Sequence, residues 1–342
     1  MKKYYLLILF IALSITIIGC TADKKEQMPK TAQSNTDNNT VVNKNNKKEQ
    51  TKDYLMFTLN VHDWVFPDKS ADAVIKTINL HEKYNVPLDI YLDDQVMQVY
   101  LADYPEVIEK IKSSSLVAVS YHVRAPHPMS SGFTFLLKDR NQLIDYEEHA
   151  LNLETGQYIE SKPGGYQLIK DTFGYAPLAV GVTKNDVEKV YADKGATFKI
   201  IHGQEIKLGD KSDYLYYRPE NVEIKWYEQN RAYMHNDITA QELIANSIGN
   251  QKRGGLFINI KMHENNYYTE DTPFWPVYWQ DSQKTLPLQP PYDTSAGQKQ
   301  IRIRPADYTQ SMWEFYENAL QYASENLDQF ELVNNKDLLD LL

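Results

Sequence analysis

Cysteine occurs once in the 342 residues, at Cys20. A disulfide within one chain is therefore excluded, and so is a structural metal site built on thiolates. Positive charge is in deficit as well: 36 Lys and Arg stand against 46 Asp and Glu, a formal net charge of −10. That balance lacks the cationic footprint that neutralises a phosphate backbone, so no nucleic-acid partner is expected. The acidity is spread along the chain and not gathered into a block.

A long apolar run occurs only near the start. Lys2 and Lys3 precede Tyr4 to Ile18, which leads into Ile17-Ile18-Gly19-Cys20. This is a basic segment, an apolar segment and a small-residue cleavage site, too short for a comfortable membrane span. The last four residues resemble the bacterial lipobox, in which the cysteine becomes the lipid-modified first residue of the mature protein. Residues 1–20 are thus expected to be a lipoprotein signal peptide, with Cys20 carrying a lipid that anchors the chain to the membrane. An uncleaved anchor or an ordinary secreted protein would also put the domain outside the cytoplasm. Thr21 to Lys52 is Lys, Asn, Thr, Gln, Asp and Glu with few apolar residues. It cannot bury enough surface to offset the entropy of ordering, and reads as a disordered polar tether.

From Asp53 the chain alternates strand-like and helix-like segments. Strands are predicted at Phe57 to Val61, Leu88 to Leu92, Leu116 to Tyr121, Leu178 to Val182, Thr197 to Ile201 and Leu256 to Met262. Helices are predicted from Ser70 to Tyr84, after Asp103, within Arg140 to Leu153, through Thr172, over Thr183 to Asp193, and after the capping box Thr239-Ala240-Gln241-Glu242 to Gly254-Gly255. Such alternation argues for a parallel α/β sheet, and the length suits one barrel-sized domain. His62, His122, His202 and His263 all fall at or just past predicted strand ends, the rim that carries the active site of a βα barrel. His81 and His149 fall in predicted helices and read as structural or solvent-facing.

Ser120 to Pro128 reads Ser-Tyr-His-Val-Arg-Ala-Pro-His-Pro. It offers His122 and His127 beyond one strand end, and neutral imidazole is the commonest metal ligand in proteins. A chemically active divalent ion takes about three protein ligands and leaves a position open. Asp63, beyond the Phe57 strand, would complete an Asp/His/His set. Coincidental spacing of two histidines is the competing account.

At this point a family resemblance becomes visible over Asp53 to the C-terminus. The dyad His62-Asp63, the His122 to His127-Pro128 segment, Lys162-Pro163-Gly164-Gly165-Tyr166, Phe173-Gly174-Tyr175, the strand ending Lys261-Met262-His263 and the closing Phe330 to Leu339 segment resemble, in order, the motifs of the polysaccharide deacetylases of the NodB-homology, carbohydrate esterase family 4 type. The resemblance implies a distorted (β/α)7 barrel and a metal-dependent removal of N- or O-linked acetyl groups. It implies Asp63, His122 and His127 as ligands of a divalent ion, zinc being expected, with His263 as acid; the family's base does not carry over, and His62 in its place could take the water's proton, add a ligand or point away. It also places Lys162 and Tyr166 at the substrate. Three departures stand out: His62 replaces the family's aspartate base, one extra residue separates the two histidines, and Lys162 replaces an arginine.

Asn265 to Ile303 is neither strand-like nor helix-like, and it is rich in aromatic residues, Trp275 and Trp279 among them. Flat rings at an active-site rim suit sugar faces, and packing of the loop onto the barrel would use the same residues. The expectation is a monomeric, lipid-anchored hydrolase acting on an extracellular or cell-wall polysaccharide. A catalytically silent glycan binder on the same barrel is one alternative. A barrel glycosidase using Asp93 and Asp94 is another.

Overall fold

A computed structural model gives the structure of residues 53–130, 132–181, 185–202, 206–220, 222–223, 239, 241–242 and 257–342. The expected signal segment, Cys20, the tether and the helix after Thr239 lie outside the described residues. The capping box itself is formed: Thr239 N donates to Glu242 Oε2 at 2.7 Å, and Glu242 N to Thr239 Oγ1 at 3.1 Å.

The strands are β1 (Asp53–Val61), β2 (Leu88–Leu92), β3 (Val117–Tyr121), β4 (His149–Leu151), β5 (Tyr158–Pro163), β6 (Ala179–Val180), β7 (Phe198–His202), β8 (Tyr216–Glu220), β9 (Val222–Glu223), β10 (Phe257–His263) and β11 (Phe330–Leu332). The large sheet runs β8-β7-β6-β3-β2-β1-β10-β9, and every pairing along it is parallel. One residue separates β8 from β9, so a single stretch of chain holds both ends of the path and the circuit closes. The result is a seven-stranded α/β barrel, the (β/α)7 architecture expected. It is distorted at β6, whose one registered pair with β3 is Tyr121 opposite Val180. β11 pairs outside the circuit with Asp53 to Leu55.

β1 is buried at every position, as expected for a strand covered by helices outside and by other strands inside. Its period of two decides what each face carries. Leu55, Phe57, Leu59 and Val61 pack against the helix layer, whereas Tyr54 and Met56 join Phe257, Val333 and Leu338 inside the barrel. Thr58, Asn60 and His62 continue that inner face. The interior therefore turns polar as it climbs: Thr58 Oγ1 donates to Asn259 Oδ1 at 3.0 Å, and the fully buried Arg218 pairs with Asp89 at 2.9 Å. Imidazoles follow above.

The helix Pro67–Tyr84 buries Ala71, Val74, Ile78 and His81 at helical spacing and stops at Asn85, whose left-handed backbone (φ 54) ends the last turn just ahead of Pro87. It begins three residues before the expected Ser70 because Pro67 is preorganised for a first helical position. Asp103 caps nothing: it ends a separate helix, Asp94–Asp103, whose N-cap is Asp93. His149 lies in β4 and not in a helix, since β4 and β5 form a small antiparallel pair. Among the described residues, no helix is long and apolar enough to cross a membrane.

Candidate functional site

Parallel register places Asn60 of β1 beside His263 of β10. One step further along the inner face of β1 stands His62, and β3 ends one residue before His122. The three imidazoles meet there: one ring nitrogen from each of His62, His122 and His263 lies within 4.8 Å of the other two. Their rings run nearly parallel, His62 to His263 at 4.9 Å and His62 to His122 at 6.0 Å between centroids. His62 is 2 %, His122 9 % and His263 6 % exposed, so the cluster is largely shielded from bulk water.

Burial first, and then the Arg124 charge, hold His62 well below the ordinary histidine range. Burial, His62 and Arg124 do the same to His263. Both rings are therefore neutral, the state in which imidazole ligates a metal. His62 Nε2 lies 3.0 Å from Asn265 Oδ1, an acceptor only, so the ring proton sits on Nε2. Nδ1, which has no hydrogen-bond partner among the described residues, is left with its lone pair. Such a partner on the far nitrogen is the usual way a ligating histidine is oriented. His263 Nε2 accepts from Asn60 Nδ2 at 3.3 Å and Arg124 Nη2 at 3.2 Å, so its ring proton sits on Nδ1, and Nε2 would have to exchange these donors for an ion in order to ligate one.

Asp63 and His127 are not in this cluster, so the fold does not bring together the expected Asp63/His122/His127 set. Asp63 follows His62 and faces the other way, because adjacent strand-end residues alternate. Its Oδ1 accepts from Val65 N at 2.9 Å and Phe66 N at 3.1 Å, and Oδ2 from Tyr268 Oη at 2.7 Å. Burial raises its carboxyl to about 6 against those bonds. Asp63 thus holds the turn into the first helix. His127 Nδ1 accepts from Met129 N at 3.1 Å, while Nε2 lies 3.0 Å from the buried carboxylate of Glu147, which also accepts from Tyr191 Oη at 2.5 Å. Nδ1 is thereby tied to its own loop, and Nε2 faces Glu147 of the helix Leu143–Glu148.

The expected substrate contacts divide. Tyr166 is fully buried and donates to Pro177 O at 2.9 Å, which makes it part of the packing and not of a surface. Lys162 is exposed at the end of β5. Trp279 packs edge-on against Phe133 at 4.9 Å, and Lys284 Nζ sits 3.5 Å over the Trp275 ring. The two tryptophans line a cavity of about 580 Å³ together with Asp271 and Gln300. The loop holding them reaches the histidines through Phe274, whose ring meets His62 edge-on at 5.0 Å. Asp93 accepts from Val96 N at 2.8 Å and Asp94 from Gly165 N at 2.8 Å, each thereby securing a local chain end.

Several residues at this site went unread in the sequence. Glu264, fully buried directly after His263, accepts on Oε1 from His62 N at 2.6 Å and Asp63 N at 2.5 Å. Its Oε2 lies 3.7 Å from His62 Nε2, and burial followed by the Asp63 charge raises its carboxyl to about 8. Its position one past a strand-end histidine was a usable signal. Arg124 stood inside the quoted His122 to His127 stretch. Asn60 shares a face with His62 by strand alternation, but its place beside His263 follows only from the register of β1 against β10.

No family model matches the chain, and no curated protein matches it. Among solved structures it is similar to the 4-alpha-glucanotransferase of Thermococcus litoralis at 10 % identity and a TM-score of 0.46, over 85 % of this chain and 40 % of that one. The chain thus spans less than half the length of that protein. It is also similar to the peptidoglycan deacetylase PdaC of Bacillus subtilis at 11 % identity and a TM-score of 0.39, over 85 % of this chain and 91 % of that one. A third is a carbohydrate esterase family 4 pseudoenzyme from Bacillus anthracis, at 11 % identity and a TM-score of 0.35, covering 63 % of this chain and 57 % of that one. Polysaccharide deacetylases, the family its motifs resemble, are therefore among the solved structures to which this chain is similar.

Proposed function

We propose that this chain is a divergent, metal-dependent hydrolase that removes N- or O-linked acetyl groups from an extracytoplasmic polysaccharide. The observation that carries the reading is the convergence of His62, His122 and His263, from three different strand ends, on the rim where a βα barrel does its chemistry. The donor set suits a divalent ion: three imidazoles are a recognised catalytic zinc set that leaves a position open. His62, His122 and His263 would hold the ion, which when bound supplies Lewis acidity toward an acetyl carbonyl.

The chain's own residues supply the rest. Asn265 keeps the His62 proton on Nε2. Glu264 binds the His62 and Asp63 amides and so fixes the strand end against β10. Arg124, beside His263, offers N–H groups to negative charge developing on the substrate's oxygen. Phe274 covers His62 and limits the access of water. His62 and His263, expected as proton carriers, take the role of ligands in this arrangement. The lipid anchor on Cys20, the extracytoplasmic location and the monomeric state belong to the same proposal.

Two observations favour a second reading, binding without cleavage. Asp63 spends both carboxylate oxygens on the turn and Tyr268, and Arg124 sets a positive charge against a cation. Purified full chain should contain close to one divalent ion, and should release acetate from an acetylated glycan until a chelator is added. Glycan binding with neither metal nor acetate release would establish the second reading in its place.

A further inference from the structure

Two cavities adjoin beside the histidine cluster. The inner one is reached by His122, Arg124 and His127. The outer one, of about 170 Å³, is lined by Trp64, Gln95, Gln98, Val99 and Lys162 among others. Asp94, Gln95 and Leu151 line both, so the two share a wall, and the inner one, of about 10 Å³, has room for no more than a water.

The walls of the outer cavity are fixed from several sides. Trp64 is half-buried, with its ring tilted against Tyr278 at 6.0 Å, and the turn that carries it is held by Asp63. Gln98 Nε2 donates to Pro163 O at 2.9 Å and thereby ties the Lys162 end of β5 to the helix Asp94–Asp103. Asp94 turns its oxygens to Gly165 N and Leu151 N, so its charge serves the wall. Lys162 is exposed and has no ion-pair or hydrogen-bond partner among the described residues. The outer cavity thus presents a flat ring, an apolar floor at Val99 and Leu151, amide groups and an unmatched cation. Its volume is below the ~300–1,000 Å³ that drug-sized ligands fill, so it admits one ring and not an oligomer.

We propose that the outer cavity is a subsite for a single pyranose ring that stacks on Trp64 and carries a carboxylate or phosphate held by Lys162. The inference rests on the glycan reading above and adds to it the class of polymer, an anionic one. Planar aromatic faces take the apolar face of a sugar, and a point-like ammonium suits an oxyanion whether it belongs to a uronate or a phosphate.

The test is isothermal titration of the full chain, with chelator present so that no probe is consumed, against three soluble oligosaccharides. One is neutral, one bears uronate groups and one bears phosphate groups. Both charged probes should bind more tightly than the neutral one, and whichever is tighter identifies the source of the anion. Trp64→Ala should weaken all three roughly tenfold or more, with Trp64→Phe retaining part of the affinity. Lys162→Gln should weaken only the charged probes, roughly two- to fivefold, and less at high salt. Equal binding of neutral and charged probes, an equal effect of Lys162→Gln on both, or full affinity in Trp64→Ala would each overturn the subsite. Acetate release is scored separately. A chain that binds through Trp64 and Lys162 yet releases no acetate refutes the hydrolase and leaves the subsite standing, and an active chain indifferent to both substitutions does the reverse.

Discussion

Glu264 is the residue whose replacement should tell most about how the site is held. Its Oε1 is the acceptor for two backbone amides, His62 N and Asp63 N, at 2.6 and 2.5 Å. Those residues are 2 % and 0 % exposed, so water cannot replace the lost acceptor without entering the core. Glu264→Ala orphans both donors at about 1–3 kcal/mol each, or roughly 2–6 kcal/mol together. Relief of buried charge offsets little of this, because a carboxyl raised to about 8 already carries its proton at neutral pH. Glu264→Gln keeps an acceptor oxygen on the same stem and should stay within about 1 kcal/mol of wild type, since near-isosteric changes that preserve hydrogen bonds cost little. Urea unfolding at pH 7 gives both numbers from the midpoint and the slope. If Ala costs less than about 1 kcal/mol, or if Gln costs as much as Ala, the amide clamp is not what Glu264 provides.

Metal content separates the two candidate ligand sets. His62→Ala, His122→Ala and His263→Ala should each lower bound zinc by at least about tenfold, whereas Asp63→Asn and His127→Ala should leave it near wild type, and the reverse pattern would restore the Asp63/His122/His127 set. His81, fully buried and bonded to Val86 O and Tyr316 Oη, has its pKa lowered by burial to about 4. Between pH 6.5 and 4 the unfolded chain takes up a proton that the folded chain refuses, so wild-type stability falls as pH falls, by up to about 3 kcal/mol from this group. The stability difference between wild type and His81→Gln should therefore shrink over that window, and a difference that does not change with pH contradicts the assignment. Cys20→Ser should release the protein from membranes or leave its precursor unprocessed, as judged by fractionation, because no other thiol can take the lipid.

The fold was legible where the physics is local. Pro67 starting a helix, Pro87 after the left-handed Asn85, and apolar runs such as Val117 to Val119 between polar breaks are signals carried within a few residues, and the corresponding elements stand where they were expected within a few positions. The helix Asp94–Asp103 was missed because Asp93-Asp94 read as a reactive pair after a strand, when Asp93 serves its own N-cap. The site was only half legible, and the period of two explains which half. Alternation along Tyr54, Met56, Thr58, Asn60 and His62 commits His62 to the barrel interior and sends Asp63 the opposite way, so a motif read as a dyad is split between two faces. That much could have been argued from the sequence. What could not is the pairing of Asn60 with His263 across two hundred positions, since parallel register is set by the closure of the whole barrel and not by any short pattern. His127 stands outside the three-histidine cluster for a similar reason: its partner Glu147 lies on a helix whose packing no spacing in Ser120 to Pro128 encodes. The chemistry-bearing residues were visible as residue types at strand ends, but which of them share one point in space is a property of the closed sheet.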